Sequence, residues 1–193
     1  GEMNLTSPFM INFPEESRHK LMLTCTDELG NEEYLEEMYY VDKTPPMIEK
    51  WYDEPYYIEE LENGTVKSIA TETNVNVDVV DAGPHKSGMN STMYSTQRVA
   101  DEHCWNPDTM CADATVDAEW QSMDANGGTF NVDEESCHVI DIKSTDNVDK
   151  AAMHRQCVFV DDTPPKPAKV VGEPKTPMSF THKYDGRVFY PEL

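Results

Sequence analysis

Shifted against itself by 119 residues, the chain aligns residues 11–55 with residues 130–174 without a gap. Fifteen of those 45 positions are identical: Asn12, Glu15, Glu16, Ser17, His19, Thr26, Asp27, Val41, Asp42, Thr44, Pro45, Pro46, Lys50, Glu54 and Pro55 each recur 119 residues later. Independent draws from an ordinary composition would match at about three positions. An internal period of this kind restricts the architecture more than any single motif, because each copy must be able to fold in the same way.

Two blocks of the repeat carry structural meaning. Leu21 and Leu23 alternate with Lys20, Met22 and Thr24, and Ile140 and Ile142 alternate with Asp141 and Lys143. A period of two predicts a strand buried on one face. Glu28-Leu29-Gly30-Asn31 and Asn147-Val148-Asp149-Lys150 follow with turn chemistry. Second strands follow at Tyr39-Tyr40-Val41 and Val158-Phe159-Val160, and both stop at Asp-x-Thr-Pro-Pro. Proline has no N–H to donate to a ladder and keeps the residue before it extended, so each copy is expected to end in a hairpin with a stiff exit. The resulting frame has residues 1–45 as the back half of one unit, 46–164 as a complete unit and 165–193 as the start of a third. Inside the complete unit, Thr73–Val79, Met93-Tyr94-Ser95, Ala118-Glu119-Trp120 and Thr129–Val132 read as further strands, and no segment has the pattern of an amphipathic helix.

Composition agrees with thin layers. Only 38% of residues are hydrophobic, and 37 acidic residues face 15 basic ones for a net charge of −22. A two-sheet sandwich about 10 Å thick suits so small an apolar share. The charge opposes binding to nucleic acid or to anionic membranes. No apolar run is long enough to cross a bilayer, and no leader pattern opens the chain. The opening Gly1-Glu2 gives the expectation of a processed product or a piece of a longer protein.

A strand, Thr-Asp with a Gly-Asn turn, and a strand ending Val-Asp-x-Thr-Pro-Pro resemble the C-terminal hairpin and linker of bacterial and archaeal immunoglobulin-like surface repeats. The residues that carry this are Thr26, Asp27, Gly30, Asn31 and Val41 to Pro46, with Thr145, Asp146 and Val160 to Pro165 in the second copy; Asp149-Lys150 stands where Gly-Asn is usual. Ser87-Gly88 resembles the turn before the third strand of such repeats. The resemblance implies an all-β chain of tandem immunoglobulin-like β-sandwich domains joined by short Pro-Pro linkers, at the cell surface, serving as stalk, adhesin or envelope filament.

Of five cysteines, Cys137 and Cys157 replace Arg18 and Met38 of the first copy. Four cysteines in one unit allow three connectivities; the joint presence of this pair points to a bond across the hairpin, with Cys104 and Cys111 closing a small loop around Trp105. Cys25 is left over. A zinc site from His103, Cys104, Cys111, Cys137 and His138 is the weaker reading, since no C-x2-C pair occurs. Disulfides imply an oxidising compartment.

Asn4, Asn63 and Asn90 begin N-x-[ST] triplets and are candidate glycosylation sites. Asp27, Asp42, Asp146, Asp149, Asp161 and Asp162 crowd the turns and linkers, and a calcium ion at a junction is the expectation they raise, against the simpler use of Asp as a turn cap. His19 and His138 are read as packed histidines with backbone partners. Trp51 and Trp120 are expected in the core, and Trp105 is the candidate ligand-contact residue. No phosphate loop, repeated nucleophile or basic aromatic surface is present. The expectation is a non-catalytic extracellular segment whose partners are neighbouring repeats, subunits, glycans or other surface proteins. The alternative is a carbohydrate- or ligand-binding accessory module of a secreted envelope enzyme.

Overall fold

Both hairpin blocks fold as antiparallel strand pairs. The structure, a computed structural model, describes residues 8–61, 64–100, 102–104 and 119–168. Among these residues every regular element is a strand. The first pair is β1 (Arg18–Thr26) and β2 (Glu32–Tyr40), a two-stranded sheet of its own. Its counterpart is β10 (Cys137–Asp146) and β11 (Ala151–Val160).

The two hairpins share one register and the same backbone bonds at the turn. Arg18 lies opposite Tyr40, and Cys137 opposite Phe159, so both pairs hold one register under the 119-residue shift. Asp27 Oδ1 accepts from the N–H groups of Leu29 (2.9 Å) and Asn31 (2.8 Å). Asp146 Oδ1 accepts from Val148 (2.9 Å) and Lys150 (2.8 Å). Gly30 (φ 85°) and Asp149 (φ 62°) occupy the same left-handed position. Asp is one of the few non-glycine residues that visit that region, so the second copy keeps the turn without its glycine.

The remaining strands form two facing sheets. β4 (Tyr56–Leu61), β5 (Gly64–Ile69), β11, β10, β7 (Met89–Arg98) and β8 (Gln121–Met123) make six strands in that order. β3 (Met47–Tyr52), β6 (Val75–Val80) and β9 (Gly127–Phe130) make three. All pairs are antiparallel except β11 with β5, which run parallel at Phe159–Val160 and Ser68–Ile69. Between the sheets lie Ile69, Val75, Val77, Val79, Phe130, Ile140, Ile142, Val158 and Val160. Burying each such side chain contributes roughly 1.5–3 kcal/mol. The β1–β2 hairpin contributes none of these residues. The chain divides into two compact units after Asp162. Of the second, residues 163–168 are described and carry no regular secondary structure.

Two expectations need correction. β10 is buried on both faces rather than one: Ile140 and Ile142 face the inter-sheet core, while Cys137 and Val139 pack with Val99 and Phe159 in a second cluster. Trp51 is 49% exposed, because alternation along β3 turns Ile48, Lys50 and Tyr52 inward. Trp120 is half-buried just before β8.

One glycine is required by close approach. Gly127 has φ 110°, and a Cβ there would lie 2.1 Å from the Val77 carbonyl oxygen. Backbone cannot yield as a side-chain tip can, so Gly127→Ala is expected to lower stability by about 2–4 kcal/mol. Chemical denaturation of the variant checks this; a midpoint equal to the parent's would contradict it.

Candidate metal centre

The cysteine pairing removes one metal reading. Cys104 is bonded to Cys137, with Cα atoms 5.5 Å apart. The expected bond from Cys137 to Cys157 is not formed. Cys137 sits opposite Phe159 and Cys157 opposite Val139, so the two are diagonal neighbours, a separation of about 7–8 Å that a disulfide does not span. Cys157 is also disulfide-bonded; Cys111 lies outside the described residues, as does Trp105. Cys25 is free and exposed. With Cys104 and Cys137 joined, the zinc ligand set loses two thiolates. His138 Nε2 instead meets the Glu134 carbonyl oxygen at 2.9 Å, and His19 Nε2 meets that of Glu15 at 3.0 Å. Burial holds His138 below the ordinary histidine range, against the opposing pull of Glu134.

The carboxylates sort themselves differently. Asp42, Asp81 and Asp146 are all buried and present one oxygen each within 4.8 Å of one another. Asp42 belongs to the linker after β2, Asp81 follows β6, and Asp146 ends β10. Three loops therefore converge: the Pro-Pro linker, the β6–β7 loop and the β10–β11 turn. Gly88 N–H donates to Asp81 Oδ2 at 2.5 Å, and Ser87 N–H to Asp42 Oδ2 at 2.8 Å. Asn147 ties the turn to the same loop, its N–H on Gly88 O at 2.9 Å and its Nδ2 on Ser87 O at 2.9 Å. Gly88, at φ 88°, admits this crowding: a Cβ would sit 3.1 Å from Asn147 Nδ2.

Beside the trio, the leading segment is pinned by polar contacts. Thr44 Oγ1 donates to Glu16 Oε2 at 2.7 Å, and Gly83 (φ 83°) lies so near that a Cβ would be 2.8 Å from both Glu16 Oε1 and Thr44 Oγ1. The rings of Tyr40 and His85 are 6.4 Å apart. Burial pushes the Asp42 carboxyl up. Hydrogen bonds from Ser87 and Thr44 and the charge of Lys150 outweigh that and leave it below its ordinary value.

Of the six aspartates expected near calcium, Asp42 and Asp146 thus meet, and Asp81 joins them unforeseen. The others lie outside the cluster. Asp27, Asp149, Asp161 and Asp162 are exposed. Asp27 caps its own turn, the local use of Asp, and Asp162 holds the Thr71 N–H at 3.0 Å and the Thr71 hydroxyl, a long-range tie that occupies both of its oxygens. An oxygen-only donor set with no sulfur or imidazole suits a hard cation rather than zinc or copper.

Asn90 is exposed on β7, while Asn4 and Asn63 lie outside the described residues. At the edge of the core, Lys50 Nζ donates to the Tyr52 hydroxyl (2.8 Å), which donates to Gln156 Oε1 (3.2 Å). Burial and the neighbouring Lys67 lower Lys50 to about 7, and burial pushes Tyr52 up. Comparison of the chain with protein-family models, with curated proteins and with solved structures finds no match.

Proposed function

We propose that this chain is a non-catalytic spacer segment of an extracellular cell-surface protein, part of a stalk, adhesin or envelope filament made of tandem immunoglobulin-like modules. The observation that carries the reading is the recurrence of one hairpin, with one register and one Asp-capped turn, each copy leaving through Asp-x-Thr-Pro-Pro. Repetition with stiff exits is how a chain gains length rather than a chemical site. The Cys104–Cys137 bond accords with an oxidising compartment. In this role strand ladders and disulfides resist unfolding, and the acidic surface keeps neighbouring molecules apart.

One observation favours the second reading, a carbohydrate- or ligand-binding accessory module. Trp51 is exposed on β3 beside Asn76, its partner across the ladder. Asn76 accepts from Thr129 Oγ1 at 2.8 Å, and both Asn74 and Asn76 donate to Asp53. An aromatic face bordered by amides and a carboxylate is a surface on which a sugar ring can stack and bond.

Antibody raised against the segment should label intact, unpermeabilised source cells. Labelling that appears only after permeabilisation would defeat the surface reading. Binding on a glycan array that Trp51→Ala abolishes would move the conclusion to the second reading.

A further inference from the structure

We propose that Asp42, Asp81 and Asp146 bind one hard divalent cation of the calcium class, and that this ion fastens the Pro-Pro linker to the β3–β11 body. A group of acids alone would not support this, since carboxylates often cap turns. The oxygens left over after capping are what point to a ligand. Asp81 Oδ1 and Asp146 Oδ2 are buried and have no hydrogen-bond partner, on residues with only 7% and 0% of their surface exposed. A buried acceptor left unpaired forfeits its hydration with nothing in return, and a charged one forfeits most.

The repeat supplies an internal comparison. Asp27 makes the same turn as Asp146, yet its second oxygen accepts from the Asn31 side chain at 2.7 Å. The residue equivalent to Asn31 is Lys150, and it makes no such bond to Asp146 Oδ2, which is left without a donor. The same backbone motif therefore ends in a closed, solvent-exposed cap in one copy, and in the other in an open, buried acceptor on a residue that clusters with two further carboxylates. No Lys, Arg or His among the described residues forms an ion pair with any member of the trio. The charge of Lys150, which acts on Asp42, is one positive charge against three negative ones.

The dimensions fit an ion. Oxygens that share a calcium at about 2.4 Å can be up to about 4.8 Å apart, and the trio's oxygens lie within 4.8 Å of one another. Donors drawn from three separate loops give the irregular shell that calcium accepts and that magnesium, with its strict octahedron, does not. Asp161 and Asp27 are the repeat equivalents of Asp42 and Asp146; both are exposed, and among the described residues the one such carboxylate trio is Asp42, Asp81 and Asp146.

The proposal deepens the spacer reading in its mechanical consequence only; the binding itself stands apart. Calcium titrated calorimetrically into the chelator-treated full chain should show saturable binding that depends on the trio, and saturating calcium should raise the thermal midpoint by several degrees, by mass action on the folded state. Magnesium at the same concentration should give a smaller shift. Asp81→Asn should weaken calcium binding at least tenfold. In chelator the same variant should be as stable as the parent or more so, because it removes one of three like charges, and this shows that it folds. Asp27→Asn and Asp162→Asn should bind as the parent does. No calcium-dependent shift in the parent, a shift that Asp81→Asn leaves intact, or a larger response to magnesium would overturn the assignment. The fastening is read separately from tryptic cleavage after exposed Lys43 in the linker, which calcium should slow. Binding without that protection would leave the site standing and remove the joint.

Discussion

An Arg155→Met variant should lose about 3–5 kcal/mol of folding stability, because it leaves a buried carboxylate without its counter-charge. Asp141 is 1% exposed on β10, and Arg155 stands directly opposite on β11. The guanidinium grips it with two bonds, Nε to Oδ1 at 2.7 Å and Nη2 to Oδ2 at 2.8 Å. Asp141 holds the Arg155 guanidinium still further above its already high range. The arginine itself is partly exposed, with 39% of its side chain accessible, so it keeps part of its hydration in the fold while Asp141 loses almost all of its own. The effect is therefore expected to be asymmetric. Replacing both residues, Asp141→Leu with Arg155→Met, should recover most of the loss, since apolar partners leave nothing unpaired. Urea unfolding of the two single variants and the double variant checks this. If the double variant is as unstable as Arg155→Met, the loss comes from packing of the arginine stem and not from the stranded charge.

Cys104→Ala should be the second large effect. The bond to Cys137 closes a loop of 33 residues, and by loop-closure entropy such a cross-link stabilises by about 4 kcal/mol. It also fastens the stretch after β7 onto the cluster of Val99, Val139 and Phe159 on the outer face of β10. Cys137, fully buried, would remain as an inert thiol, so the variant isolates the cross-link from the packing. The thermal midpoint should fall well below the parent's under non-reducing conditions. Under reducing conditions the two should converge to within the change caused by any other disulfide. Equal midpoints without reductant would show that this bond does not constrain the unfolded chain.

How far the site can be read from the chain depends on how local each of its parts is. Asp42 and Asp146 are legible, since both belong to the repeated block and both sit beside turn residues. Asp81 is not. It follows β6 in Val80-Asp81-Ala82-Gly83, which has no second copy here to mark it, and only the order β3-β6-β9 against β10 brings that loop to the linker. Trp51 defeats a sequence reading for a related reason. Hydrophobicity places it inside, but β3 contributes Ile48, Lys50 and Tyr52 to the inner face, and a strand cannot turn adjacent residues to the same side. The two-sided burial of β10 is hidden as well: alternation predicts one covered face, and the second cover comes from Val99 and Cys104, the nearer of them 33 residues from Cys137 in sequence.

The period is a property of the amino-acid order itself, and the strand alternation, the Asp-capped turns and the all-β class were determined by it alone, because each of these depends on hydrogen bonds and side-chain parity within about ten residues. The register of both hairpins follows from the same local rules. The cysteine partners and the meeting of Asp42, Asp81 and Asp146 were decided only in three dimensions. Both depend on β7 pairing with β10 and on which loops that arrangement carries to one end of the sheets. Residues far apart in the chain become neighbours there through sheet topology, and no spacing along the sequence encodes that distance.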